Sequence, residues 1–295
     1  MALSESRRKK LEMLIRSVTD KKAEVSAPKL RADDSRLALA PELPSGGPVP
    51  LAEAVPGVEV ATDHGPYWLV SRTLAEVSPD DVSAQAELAA VLRGARHRFD
   101  ELAASAELCH VANGAPGDPL FMDIESCGLS GACIFLVGLM FFRDDQLVFD
   151  QLLARHYGEE PAILDAFGRR LEQAGTLITF NGKSFDITCI RDRAIFHALD
   201  IPPDPPHLDI LHEARRRWRK DLPNCKLQTL EYTFCRRRRI GDIPGDQIPD
   251  AYHDFVAGSD ARRLGAILHH NLLDMLTMGQ LLCLLLTGEE PDVDL

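Results

Sequence analysis

The feature that most constrains this chain is the run of strand-like segments that opens at Pro119. Leu120-Phe121-Met122-Asp123-Ile124-Glu125, residues 133–142 (CIFLVGLMFF) and residues 146–151 read as three strands, parted by the turn residues Gly128, Gly131, Arg143 and Asp144. Short apolar runs bounded by such turns make an antiparallel meander. The texture then alternates: a helix over about 160–173, a strand from Thr176 to Asn181, a helix over 184–199, a strand near His207 to Ile210, and helices to about 286. Meandering strands followed by helix and strand in alternation imply an α/β fold with a mixed, five-stranded sheet and helices on both faces.

The rest of the chain divides around that segment. Residues 1–25 carry Leu11, Leu14, Ile15 and Val18 at helical spacing among basic side chains, an amphipathic helix. Residues 26–58 are rich in Pro, Ala and Gly and read as a flexible linker. Residues 59–118 form a lead-in, with a strand at Tyr67-Trp68-Leu69-Val70 and a helix over 82–107, packed on a main domain of residues 119–287. Residues 288–295 make an acidic tail. No apolar run is long enough to span a membrane, and Glu12, Arg16 and Asp20 interrupt any signal-peptide core. The seven cysteines include no CxxC pair, which fits a reducing cytoplasm and neither a zinc knuckle nor a disulfide scaffold. A net charge of −12 argues against bulk attraction to nucleic acid, so any such contact must be local.

Three segments carry chemistry. Asp123 and Glu125 lie two apart on a strand and share one face, while Met122 and Ile124 pack opposite. An acid-x-acid triplet is expected by chance in so acidic a chain, but this strand is apolar, and buried paired carboxylates are costly without a cation. The second segment is Thr179-Phe180-Asn181-Gly182-Lys183-Ser184-Phe185-Asp186, where Ser184 is placed to cap a helix and Asp186 sits in its first turn. By itself Asp186 reads more simply as a complement to the helix dipole. The third is a helix from about Ser259 to Leu286 with His269-His270-Asn271-Leu272-Leu273-Asp274. Residues four apart share a helical face, so His270 and Asp274 are neighbours and His269 points away; a hydrogen-bonded His/Asp pair is the structural alternative.

In order and wording these segments resemble the DEDD exonuclease superfamily, and more closely the YprB-like ribonuclease H-like proteins. The stretches are 121–131 (FMDIESCGLSG), 135–142 (FLVGLMFF), 177–187 (LITFNGKSFDI), 207–216 (HLDILHEARR), 225–231 (CKLQTLE), 241–252 (GDIPGDQIPDAY) and 269–278 (HHNLLDMLTM). The resemblance implies a ribonuclease H-like fold and a 3′ to 5′ exonuclease acting on DNA or RNA. It implies that Asp123, Glu125, Asp186 and Asp274 hold two divalent ions, Mg²⁺ or Mn²⁺ by the hardness of the ligands. The general base falls to His270 if the helix is unbroken, or to His269 if the chain enters the helix by a turn at that point. Where the family has a Thr-Thr-Gly-Leu turn, this chain has Ser126-Cys127-Gly128-Leu129.

Asn181 and Lys183 on the second segment, and Arg216 and Arg238 within the arginine runs 215–219 and 236–239, are the candidate substrate contacts. A solvated helix face is the competing reading of the first run, around Leu211, Ala214 and Trp218. His207, Asp209 and His212 read as structure before ligation. A non-catalytic nucleic-acid-binding or scaffold module that keeps the fold is the alternative of a different class, and a zinc hydrolase is disfavoured by the ligand types.

Overall fold

The computed structural model describes residues 36–39, 46–78, 82–94, 104–128 and 131–288. The expected N-terminal helix, most of the acidic tail, and Leu129 lie outside those residues. The strands are β1 (Arg36–Leu39), β2 (Val58–Thr62), β3 (Gly65–Thr73), β4 (Pro119–Ser126), β5 (Ile134–Arg143), β6 (Gln146–Leu153), β7 (Thr176–Thr179), β8 (His207–Asp209) and β9 (Arg237–Ile240). The longer helices are α1 (Val82–Gly94), α2 (Ala106–Asn113), α3 (Glu160–Leu171), α4 (Asp186–Phe196), α5 (Ile210–Trp218), α6 (Ile248–Gly258) and α7 (Leu264–Thr287).

The main sheet is mixed, as expected, but has seven strands rather than five, in the order β2-β3-β6-β5-β4-β7-β8. The two added strands come from the hairpin β2–β3, which joins the meander by antiparallel pairing of β3 with β6. That partner is some eighty residues away along the chain, so no local pattern announces it. β4, β7 and β8 run parallel, and their carboxyl ends therefore open on one edge. A second, two-stranded sheet pairs β1 with β9 in parallel, so the segment expected as a linker contributes a strand.

Local chemistry explains the turns that position these strands. Asp144 and Asp145 both have positive φ, the conformation a two-residue hairpin loop needs, and they set the β5–β6 register. The helix expected from Ser259 begins instead at Leu264; Ser259 adopts a left-handed conformation that ends α6. The α1 helix is described to Gly94, and α2 opens at its own cap, Ser105, whose side chain accepts from Leu108 N.

Two apolar cores flank the sheet, and α7 belongs to both. Its first turns, Leu264 to Leu268, pack with Leu136, Leu153, Ile248 and Tyr252. Its remainder, from Leu272 to Leu286, packs with Phe121, Met140, Phe149, Leu88 and Trp218. Each such buried side chain contributes about 1.5–3 kcal/mol of transfer free energy. At the seam between the two cores α7 carries His269, His270, Asn271 and Asp274, and there it passes the acids of β4.

Candidate active site

Asp123 lies at the middle of β4, paired with Gly138 of β5, which in turn pairs with Gln151 of β6. A Cβ on Gly138 would stand 2.0 Å from Asn271 Oδ1, so only glycine leaves room for that side chain. Asn271 lies over the gap. Its Nδ2 donates to Asp123 Oδ2 at 2.8 Å, and its Oδ1 accepts from Gln151 Nε2 at 2.9 Å. Gln151 Nε2 also donates to Leu268 O. A fully buried amide must be paired on both sides, and this chain of bonds fixes α7 against the sheet at the height of Asp123. Sequence reasoning missed Asn271; its signal is the combination of a polar residue on the buried side of α7 and a glycine inside an apolar strand.

Asp186 reaches the same place from the loop after β7. Asn181 turns the chain with a φ of 66°, and Gly182 lies so close to Thr179 that a Cβ would stand 2.4 Å from its Oγ1. Asp209 holds this loop, accepting from Asn181 N at 2.8 Å, Lys183 N at 3.2 Å and Leu211 N at 3.0 Å. Three backbone donors make Asp209 a brace. Ser184 is not the helix cap: its amide donates to Asn181 O, and Phe185 occupies the cap position without a side-chain bond. Asp186 therefore opens α4 with its carboxylate turned back to β4, where Oδ1 accepts from Ile124 N at 3.3 Å.

The last helix completes the group. α7 runs unbroken through both histidines, and His270 Nε2 stands 3.6 Å from Asp274 Oδ2. His270 Nδ1 is hydrogen-bonded to Asp242 Oδ2 at 2.9 Å. Asp274 Oδ1 accepts from Arg239 Nη2. Neither Asp242 nor Arg239 was singled out from the sequence. His269 lies on another side of the helix, half-buried, with its Nε2 unpartnered among the described residues.

The structure thus brings Asp123, Glu125, Asp186, His270 and Asp274 together. Burial and then the charges of Asp274, Glu125 and Asp186 push the Asp123 carboxyl well above its usual range. Burial raises Glu125 to about 8, with Asp274 and Asp186 adding and His270 opposing. Burial raises Asp186 to about 7 against the hydrogen bonds of its own amide and Ile124 N. For His270, burial pulls downward, but the Asp242 hydrogen bond and the field of Asp274 and Glu125 outweigh it, and the imidazole titrates above its ordinary value. His269, lacking such partners, is lowered by burial to about 4.

Among the described residues no group of three or more His, Cys, Asp and Glu side chains closes into a finished ligand shell. The donor set still fits a hard divalent cation in kind: every donor is a carboxylate, no thiolate is present, and the acids crowd one another in the way a bound cation would relieve.

The candidate substrate contacts stand elsewhere around this edge. Asn181 is exposed, and Lys183 Nζ lies 3.4 Å from Glu107 Oε1. Arg216 is exposed on α5 and bonds Glu213, while Ile210, Leu211, Ala214 and Trp218 are buried beneath. Arg238 is exposed on β9, on the opposite side of the strand from Arg237 and Arg239. No helix among the described residues is long and apolar enough to cross a membrane.

Comparison with known proteins agrees with this architecture. The chain is 32% identical over 163 residues to the "Uncharacterized protein YprB" of Bacillus subtilis (strain 168), a match that covers 54% of this chain and 39% of that protein. The matched region thus spans well under half of the relative's length. The RNase_H superfamily matches residues 120–286, from the first residues of β4 almost to the end of α7 and more than half of the chain. With its mixed sheet, this nuclease-type fold and its likeness to YprB, the chain belongs to the RNase_H superfamily.

Proposed function

We propose that this protein is a metal-dependent nuclease that hydrolyses phosphodiester bonds of DNA or RNA, acting as a 3′ to 5′ exonuclease. The observation that supports this reading is the meeting of four carboxylates from β4, α4 and α7 at the carboxyl edge of the sheet. In this reading Asp123, Glu125, Asp186 and Asp274 hold two Mg²⁺ or Mn²⁺ ions. When bound, such a pair supplies Lewis-acid stabilisation of the attacking and leaving oxygens of an in-line displacement.

The protein's own groups do the rest. In the neutral imidazole Asp242 accepts a hydrogen bond from His270 Nδ1–H, which fixes the tautomer and leaves the Nε2 lone pair on the side of Asp274. His270 Nε2 is then the atom that takes a proton from the attacking water, and Asp242 offsets the charge this creates. Asn271 holds Asp123 Oδ2, and the Ile124 amide holds Asp186 Oδ1, so each acid keeps its other oxygen for the cation. Asn181 and Lys183 on the loop beside Asp186, with Arg216 and Arg238 further out, serve as phosphate contacts.

The test is digestion of end-labelled DNA and RNA oligonucleotides with Mg²⁺, Mn²⁺, Zn²⁺ or EDTA across salt concentrations. Cleavage with Mg²⁺ or Mn²⁺ and none with EDTA is expected, and charge reversal at Arg216 and Arg238 flattens the salt dependence of binding. Binding without cleavage under every condition would leave a non-catalytic nucleic-acid module, and activity with zinc alone would reject the metal assignment.

A further inference from the structure

We infer that Arg239 is the chain's own counter-cation for Asp274, and that a divalent ion entering the carboxylate site must compete with it. The inference rests on the metal reading above and adds to it a residue that sets how tightly the metal is held.

The case begins with strand alternation. In β9, Arg237 and Arg239 point inward while Arg238 points to solvent, and the left-handed Arg236 delivers the strand from the wide π-helical turn Glu231–Cys235. Arg239 is surrounded by three carboxylates: Nε donates to Glu231 Oε2 at 2.7 Å, Nη1 to Asp242 Oδ2 at 3.3 Å, and Nη2 to Asp274 Oδ1 at 2.5 Å. Glu231 has a second cation, because its Oε1 accepts from Arg237 Nη1 at 3.1 Å and from Thr277 Oγ1 at 2.7 Å. Asp274 has no second arginine or lysine among the described residues. Its other oxygen faces His270 at 3.6 Å, so Arg239 is the permanent positive charge that meets it.

Among the described residues, Asp274 is the one of the four acids in an ion pair with an arginine. Asp123 is held by the neutral amide of Asn271 and Asp186 by a backbone amide, so a metal ion can approach either without meeting a fixed cation. At Asp274 the approaching ion meets a guanidinium bound to the same carboxylate, and like charges at that separation repel. The buried Glu231 keeps the guanidinium from swinging away, since leaving would strip Oε2 of the donor that Arg237 and Thr277, both on Oε1, do not replace. Arg239 therefore neutralises Asp274 in the metal-free protein and weakens metal binding in the loaded one.

The experiment is Mn²⁺ binding to the full chain, followed by the electron paramagnetic resonance signal of free Mn²⁺ and by calorimetry, for wild type, Arg239→Gln, Arg239→Met and Asp123→Asn. Gln keeps a hydrogen bond without the charge, and Met removes both. Both Arg239 variants are expected to bind Mn²⁺ about tenfold or more tightly than wild type and to gain more thermal stability from it. A variant that folds only with Mn²⁺ is the extreme of that result. Unchanged or weaker affinity in folded Arg239→Gln, or failure of both variants to fold even with Mn²⁺, overturns the inference while leaving the metal site standing. Wild type that binds no Mn²⁺, or binding that survives Asp123→Asn, removes the metal reading and this inference with it.

Discussion

Glu160 and Asp186 are both buried carboxylates at the first turn of a helix, each bonded to one of two adjacent strands, and they sit in opposite electrostatic states. Glu160 accepts from Ile134 N and Arg193 Nε at 2.8 Å each, from Arg193 Nη2, and from His197 Nε2 at 2.7 Å. Burial alone would raise its carboxyl, yet Arg193, His197 and Ile134 N hold it below the usual value. Asp186, with Asp123 and Glu125, receives a few neutral donors and other acids for neighbours, and all three are raised. A buried carboxylate given its full set of donors serves as a tie between elements. One left among its own kind is a place for a cation from outside the chain.

Removing a charge from each region separates these roles most widely. Asp123→Asn relieves repulsion and removes a proposed metal ligand, so hydrolysis is expected to vanish while the metal-free melting temperature stays level or rises. Glu160→Gln breaks a buried ion pair and is expected to cost on the order of 3 kcal/mol of stability while each folded molecule keeps its turnover. Activity and melting curves on the two purified variants read both effects. Full turnover in Asp123→Asn would sink the site assignment, and a wild-type melting point in Glu160→Gln would sink the contrast.

The histidines give a smaller contrast within one helix. His270 has Asp242 on one nitrogen and Asp274 facing the other, whereas His269 has neither. His270 is displaced from Asp274 by about 40° around the helix and His269 by about 140°. Loss of a general base typically costs about 10²–10⁴-fold, so His270→Ala is expected to slow hydrolysis at least about a hundredfold and His269→Ala only mildly. The reverse ranking, in single-turnover assays with Mg²⁺, would move the base to His269.

What could be read from the sequence follows the range of the interactions. Period-two alternation marks the shared face of Asp123 and Glu125, and the apolar period from Leu264 onward marks the helix that keeps His270 beside Asp274. Both are local signals. Arg239 is hidden because a run of four arginines reads as a surface track for phosphate or solvent. Only pairing with β1, from a segment that reads as linker, shows β9 to be a strand that turns alternate arginines inward. Tyr67–Val70 reads as a strand and lies within β3, but its place does not show: β3 becomes an inner strand through β6, and no feature of residues 58–73 names that neighbour. Asn271 escaped because a polar residue on a helix suggests solvent, when here it spans the space left by Gly138.

Titration offers the finest separation of the two regions, because their shifts have opposite signs. A carboxyl raised on folding binds its proton more tightly when folded, so its contribution is fully present below the unfolded pKa and is lost as pH rises through the folded one. For Asp186, moving from 3.8 to about 7, and Glu125, from 4.5 to about 8, the loss falls between roughly pH 4 and 8. His270, also raised, adds stability below its unfolded pKa that fades as pH climbs through its folded value. Glu160 is lowered, so its contribution is present above about pH 4.5 and is lost only as pH falls through the folded value. In EDTA, scanning calorimetry should find a melting temperature that declines from pH 5 to 8. Mn²⁺ binds the deprotonated acids and should flatten that decline, so its stabilising effect grows with pH. Asp123→Asn should shallow the slope above pH 5, and Glu160→Gln should alter only the acid limb below it. A metal-free melting temperature that rises from pH 5 to 8 would mean that the acids of β4 and α4 are already neutralised within the protein, and that the difference from Glu160 is one of degree.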